Sequence, residues 1–272
     1  MNVTPDLASY DLIFINSSAG KDSQAMLTHV VGLVDAQGVS RDRLVVVHCD
    51  LGRVEWKGTK ELAQEQAEAY GLRFEVVSRP QGDLLDQIEA RGMFPSSTAR
   101  YCTSDQKTSQ VTKLMTAEVR RLQAAGHVGQ VRILNALGIR AEESPARAKK
   151  QSFHKDSASN GKRHVDRWLP IFDWDEERVW DTIWASGLRW HEAYDLGMPR
   201  LSCCFCVLAG RNELVLAAQH NPELAAEYVA VEERIGHTFT AKLSMAEIVA
   251  QAQAKSREMR AKQAAGEALV AA

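Results

Sequence analysis

The 272-residue sequence has no apolar run long enough to cross a bilayer, so no membrane partner is expected. Neither charge is in excess: 33 Lys and Arg stand against 35 Asp and Glu, for a net charge of −2. A global positive field for nucleic acid is therefore missing, and any basic site must be local. The opening residues lack a basic start followed by a long apolar stretch, which argues against a secretory leader. Cysteine is scarce, with five residues in all. An odd number without a leader is expected to stay reduced in the cytoplasm. No internal repeat is present. What the composition does hold is 45% hydrophobic and 25% charged residues, which is ordinary for a globular chain and excludes extensive disorder or a disulfide framework.

Short apolar runs alternate with helical patterns. Leu12–Ile15, Leu44–His48, Phe74–Val77 and Val131–Leu137 read as buried strands. Ser23–Val34, Thr59–Tyr70 and Val111–Ala124 carry helical spacing, and Gly71 stops the second of these. Such alternation predicts a doubly wound, mostly parallel α/β sheet whose strand C-termini share one ligand-binding edge. Residues 141–167 are polar and rich in Lys and Arg, and the expectation there is a long mobile loop. Asp173 or Asp175 is expected to cap a helix running to Trp184. Residues 212–234 and 244–264 are predicted helical, with 263–272 frayed.

The sharpest local signal is Ser17-Ser18-Ala19-Gly20-Lys21-Asp22-Ser23, set between a strand and a helix. Small residues let backbone wrap an anion, and the helix start offers N–H groups and a positive dipole end. The serines add hydroxyl donors and Lys21 a point charge. A Walker A loop needs Ser or Thr directly after the Lys, and Asp22 stands there instead. Asp50 closes the second strand, where a carboxylate orients Mg²⁺ or a ribose; a capping Asp is the other reading. Cys203 and Cys206 have Cys-x-x-Cys spacing, which suits iron–sulfur or zinc, with buried free thiols as the plain alternative.

The SSAGKDS loop resembles the SGGKDS loop of the PP-loop superfamily, the adenine-nucleotide alpha hydrolases, with Ala19 in place of a usual Gly. More segments follow in the order of its phosphoadenylyl-sulfate (PAPS) reductase-like branch. CDLGRVEW matches through Asp50, Gly52 and Glu55, and YCTSDQK through Cys102 and Lys107. GIRAEESPAR matches through Arg140, Ser144 and Arg147, the segment that grips the anionic part of the substrate. HEAYDLGMPRLSCCFC resembles the branch's Tyr-Asp-x-Gly…Cys-x-x-Cys segment. The resemblance runs from about Asp11 to Val207.

It implies a PP-loop, Rossmann-like domain over 1–207 and a helical C-terminal extension over 208–272. Ser17, Ser18, Gly20, Lys21, Asp22, Ser23, Asp50, Gly52, Glu55, Arg140, Ser144 and Arg147 would hold an adenine nucleotide, ATP or PAPS, with Mg²⁺. Lys21, Asp22, Asp50, Lys107 and Arg140 would carry the chemistry. Cys102, Cys203 and Cys206 would hold a 4Fe-4S cluster, with zinc as the alternative metal and Cys204 the alternative fourth ligand. Thr103 replaces one cysteine of the cluster-bearing pattern.

PAPS reductases that use thioredoxin carry a nucleophilic Cys in a C-terminal Glu-Cys-Gly-x-His segment, and no Cys follows Cys206 here. The first expectation is therefore ATP activation at the alpha phosphate with thiolation of an acceptor. The basic residues of 147–167 would hold a nucleic acid, a sulfur-donor protein would serve as partner, and a homodimer is a further option. The alternatives are PAPS or adenylyl-sulfate reduction, and a non-catalytic nucleotide-binding subunit of a modification or defence complex.

Overall fold

The computed structural model describes residues 3–270, with side chains described through residue 263. Residue contacts divide the chain into two units. The first is Met1–Asp50, Lys57–Ser78 and Asp105–Leu201; the second is Leu51–Trp56, Arg79–Ser104 and Ser202–Ala272.

The first unit is a sheet with helices. Its strands are β1 (Leu12–Ser17), β2 (Leu44–Cys49), β3 (Arg73–Val77), β4 (Val131–Leu137), β5 (Phe153–Lys155) and β6 (Arg163–Trp168). They lie in the order β3-β2-β1-β4-β6-β5. Every pairing is parallel except β5 against β6. The order reverses after β1, so β1 is the topological switch strand, and open α/β sheets bind ligands beyond the carboxyl end of such a strand. Along β1 the side chains alternate between faces. Ile13 and Ile15 join a core with Met26, Leu27, Val30 and Ile183, whereas Leu12 and Phe14 join a second core with Val111, Met115 and Val119. The helices supplying these residues are α1 (Lys21–Ala36) and α7 (Glu176–Ser186) on one face and α5 (Ser109–Ala124) on the other. A sheet covered on both faces explains why β1 and β2 are apolar runs.

The expected strands and helices are present, with shifted ends. Helix α2 covers Thr59–Ala69, and Asp175 caps α7 by accepting from the Arg178 N–H. Residues 141–167 correct the expectation of a mobile loop. They hold a short helix α6 (Pro145–Ala148) and the strands β5 and β6. The charge pattern hid β6 because its inward polar residues are partnered. Arg163 donates to the Ala158 carbonyl at 2.7 Å and to Thr116 Oγ1 at 2.7 Å. Asp166 accepts from Tyr10 Oη at 2.8 Å. Arg167 donates to Asp156 at 2.8 Å.

The second unit is helical: α3 (Leu84–Arg91), α4 (Tyr101–Thr103), α8 (Arg211–His220), α9 (Pro222–Ile235) and α10 (Met245–Val270). Pro222 starts α9, since a proline is tolerated in a first turn but not in a helix interior. Its core is aromatic. Phe94 meets Phe239 edge-on at 5.4 Å and Tyr228 at 6.1 Å, and Phe205 meets Tyr228 at 5.0 Å. The end expected to fray is helical to Val270; Ala271 and Ala272 lie outside the described residues. Among the described residues, no helix is long and apolar enough to cross a membrane.

Candidate functional site

Strand β1 delivers Ser17 to the carboxyl edge of the sheet, and α1 begins four residues later. The chain turns there through Ala19, which has φ 55°. A side chain is unfavourable in that left-handed region by about 1–2 kcal/mol. Ala19 is the only non-glycine residue with positive φ among those described. Gly20 follows in extended conformation as the N-cap of α1. The space beside it is tight: a Cβ there would stand 3.3 Å from both Leu201 Cβ and Tyr194 Oη.

The serines tie the loop. Ser23 Oγ accepts from the Ser18 N–H at 3.1 Å and donates to the Gly20 carbonyl at 2.9 Å. Ser17 Oγ accepts from the Ala19 N–H at 3.2 Å. The amides of Asp22 and Ser23 open a helix, so no intrahelical carbonyl is available to them. They point a positive dipole end along the loop. This is a backbone suited to a phosphate or sulfate.

The two cations expected at the anion are engaged with the protein. Lys21 is only 4% exposed. Its Nζ donates to the Pro199 carbonyl at 2.9 Å and lies 3.6 Å from Asp22 and 3.7 Å from Glu176. Arg140 is 2% exposed. Its Nε donates to Asp22 Oδ1 at 2.6 Å, and its Nη1 to the Trp174 carbonyl at 3.2 Å and to Glu142. Burial works against the Arg140 charge, but Asp22 and Glu142 outweigh it and raise the guanidinium's pKa. Both side chains thus brace the loop. Ser144 accepts from the Arg147 N–H at 3.2 Å, and the Arg147 guanidinium pairs with Glu143.

Two features of the loop were not legible as functional in the sequence. Tyr194 Oη accepts from the Lys21 N–H at 2.7 Å and from the Leu201 N–H at 3.2 Å, so it holds the first turn of α1. Burial raises its pKa. Gly138, just past β4, lies against the loop's backbone: a Cβ would meet the Asp22 carbonyl oxygen at 2.9 Å. The signal for Tyr194 is the Tyr-Asp-x-Gly segment itself; a glycine ending a strand gives no such signal.

Asp50 follows β2, and its carboxylate lies 3.2 Å from Lys60 Nζ. Magnesium is commonly held by one or two carboxylates together with substrate phosphates, the role that the resemblance implies for Asp50. Cys49 Sγ lies 3.9 Å from the Lys107 carbonyl. Asp50, Lys107, Arg140, Ser144, Arg147 and the loop all fall in the first unit.

Gly52, Glu55 and the remaining cysteines fall in the second unit. Gly52 has φ 75°, and a Cβ there would stand 2.4 Å from Asp83 Cβ. The Glu55 carboxylate accepts from the Leu51 N–H at 3.3 Å. Cys204 is buried, and its N–H donates to the Val54 carbonyl at 2.9 Å. Burial raises its thiol pKa, with smaller contributions from Cys203 and Glu55. Cys102, Cys203 and Cys206 are half-buried. The expected metal centre is not assembled: among the described residues, no group of three or more His, Cys, Asp or Glu could hold a metal ion. The residues as arranged do not fit a 4Fe-4S cluster or zinc.

Comparison with known proteins bears on residues 12–209, which draw on both units. A model of the phosphoadenosine phosphosulfate reductase domain matches residues 12–209. An uncharacterized 37.8 kDa protein in gpa 5'region of Escherichia phage 186 is 30% identical over 172 residues, covering 63% of this chain and 48% of that one. The adenosine 5'-phosphosulfate reductase of Neisseria meningitidis serogroup A is 33% identical over 69 residues, covering 25% of this chain and 27% of that one. The phosphoadenylyl-sulfate reductase of Candida auris, solved as a phosphate complex, shares 14% identity at a TM-score of 0.44, covering 72% of this chain and 82% of that one. The chain spans about half the length of the first curated relatives it matches. With a family model matched across β1, the loop, the sheet and the cysteine segment, the chain belongs to the phosphoadenosine phosphosulfate reductase domain family.

Proposed function

We propose that the chain binds an adenylate at loop 17–23 and reduces a sulfonucleotide of the adenylyl sulfate or phosphoadenylyl sulfate class. The observation that carries this reading is the reductase-domain match, whose span begins at β1 and takes in the loop. In such a reaction the bond between sulfur and the bridging phosphate oxygen breaks. The adenylate leaves and sulfite is formed, with two electrons drawn from an external dithiol.

On this reading the Ser17 and Ser18 hydroxyls and the Asp22 and Ser23 amides hold the phosphate, while Ser23 Oγ keeps the loop in shape. Lys21, Arg140 and Tyr194 fix the shape of the loop, and Asp22 links the two cations. Asp50 would face a magnesium ion carried by the phosphates, which would neutralise charge there. Ser144 and Arg147 are assigned to the anionic end by resemblance, and Lys107 to the chemistry. Residues 1–207 form the reacting portion, and 208–272 an extension outside it.

ATP activation with thiolation of a nucleic acid has less behind it. That reading drew its acceptor site from a mobile basic loop, and Arg163 and Arg167 of that segment are instead tied into the sheet. Protein incubated with a dithiol and either adenylyl sulfate or phosphoadenylyl sulfate should release sulfite, and Lys21→Ala should abolish the release. Pyrophosphate released from ATP, with no sulfite from either sulfonucleotide, would overturn the reading.

A further inference from the structure

The segment Cys203–Cys206 lies in the second unit and is built as a turn. Cys204 and Phe205 are its centre residues, and Cys203 and Cys206 its ends. The centre is fixed inward. Cys204 is 1% exposed, and its N–H donates to the Val54 carbonyl at 2.9 Å. The Phe205 ring packs edge-on against Tyr228 at 5.0 Å. The ends are fixed through their carbonyls. That of Cys203 accepts from Ser202 Oγ at 3.0 Å, and that of Cys206 from the Ala209 N–H at 2.8 Å. The two end residues are left half-buried, and both are thiols.

Distance and access select one pair among the three cysteines. A tight turn brings the Cα atoms of its ends within about 7 Å. A disulfide spans roughly 4.4–6.8 Å between Cα atoms, so the turn holds Cys203 and Cys206 in the range that such a bond uses. Cys203 and Cys204 fall below it, since neighbouring Cα atoms are about 3.8 Å apart. Burial also withholds Cys204 from a reagent in solvent. Burial raises the pKa of the enclosed Tyr228 phenol, and Cys203, Cys204 and Cys206 all add to it, so both outer thiols lie near one group. Among the described residues these thiols are not gathered into a metal centre, which leaves them available to each other.

We propose that Cys203 and Cys206 are a thiol–disulfide exchange pair whose substrate is a low-molecular-weight disulfide. One cysteine thiolate attacks a sulfur of that disulfide, displaces one thiol and leaves a mixed disulfide on the protein. The second cysteine thiolate attacks the protein sulfur, forms the Cys203–Cys206 bond and displaces the second thiol. The pair loses two electrons and two protons; the small disulfide gains both and leaves as two thiols. An external dithiol runs the same steps in reverse. Neither step draws on the adenylate reading of loop 17–23.

The test uses the full chain, purified without oxygen, reduced and freed of reductant. It is incubated with glutathione disulfide at about 0.1 mM, quenched in acid, alkylated with N-ethylmaleimide in denaturant and mapped by mass spectrometry. Two thiols at the ends of a turn meet at an effective concentration on the order of mM, so the closed bond should exceed the lasting glutathione adduct by about tenfold. Cys203 and Cys206 should lose their alkylation together, Cys204 should keep it, and dithiothreitol should restore both. Cys203→Ser and Cys206→Ser should each retain glutathione on the remaining outer cysteine, because no partner displaces it. The wild-type map needs neither variant to fold.

Four results would overturn the pair. One is a wild-type chain that keeps a glutathione adduct in place of the bond. Another is a bond to Cys204 or Cys102. A third is unchanged alkylation of both outer cysteines. The last is iron or zinc found in stoichiometric amount in the isolated chain, with exchange blocked until a chelator removes it.

Discussion

The phosphate loop and the cysteine segment are both short, and both were marked by sequence, yet the fold treats them in opposite ways. Loop 17–23 is built before any ligand arrives. Ser17 and Ser23 tie its backbone, Tyr194 holds the first turn of α1, and Arg140 and Lys21 converge on Asp22. The segment around Cys203–Cys206 is held through backbone and burial, and its thiols are not gathered into a metal centre. A loop between a strand and a helix is dictated by residues within one turn of each other. A metal centre drawing on Cys102 and Cys203 needs side chains a hundred residues apart to converge, and a spacing pattern does not ensure that.

The largest test of this contrast is Arg140→Ala. It would take from the largely buried Asp22 its closest cation, leaving Lys21 at 3.6 Å, and removing one partner from a buried ion pair costs up to about 3–5 kcal/mol. Urea unfolding should show that loss. A change under about 1 kcal/mol would mean that the loop holds its shape without the brace.

In the second unit the comparable device is steric. Gly52→Ala would place a methyl group 2.4 Å from Asp83 Cβ while forcing alanine into φ 75°. The strain at positive φ is about 1–2 kcal/mol, and the clash adds to it. The expected loss is therefore about 2 kcal/mol or more, read in the same unfolding experiment. A neutral result would show that the Asp83 segment yields freely.

Much of this was legible in the sequence, for local reasons. The apolar run of β1 followed by SSAGKDS places a strand, a tight turn and a helix start with no need of tertiary information. Strand β6 was not legible, because Arg163, Asp166 and Arg167 look like solvent-facing charges until Thr116, Tyr10 and Asp156 are placed beside them. Arg140 was legible as important but not in its role. An arginine three residues past a strand reads as an anion grip, whereas Asp22, one of the carboxylates it holds, lies 118 residues away in the chain.

Ala19 sharpens the comparison from the other direction, because it is a flaw in the finished region. At φ 55° its Cβ is strained, and glycine adopts that conformation freely. Ala19→Gly should raise stability by about 1 kcal/mol once the added freedom of the unfolded chain is subtracted. Thermal melts with and without AMP would check this. A loss of stability would mean that the buried Ala19 methyl contributes more through packing with Leu62 and Ala63 than it costs in strain.

The smallest expected effect separates the two regions by pH. Burial keeps the Cys204 thiol protonated well above its ordinary range, and burial does the same to the Tyr194 phenol in the first unit. In the unfolded chain a thiol ionises near pH 8.5 and a phenol near 10. Above those values the unfolded state binds fewer protons than the folded one, so stability falls as pH rises and is fully present below them. The thiol should therefore begin the alkaline loss about 1.5 pH units before the phenol does. Cys204→Ala should flatten the slope of unfolding free energy between roughly pH 8.5 and 10 and leave the steeper loss above it. It follows that iodoacetamide should label Cys204 more slowly than the half-buried Cys203 and Cys206, since the thiolate is the reactive form. Equal labelling rates would place the Cys204 thiol in contact with solvent, and the contrast between a braced loop and a buried thiol segment would lose its second half.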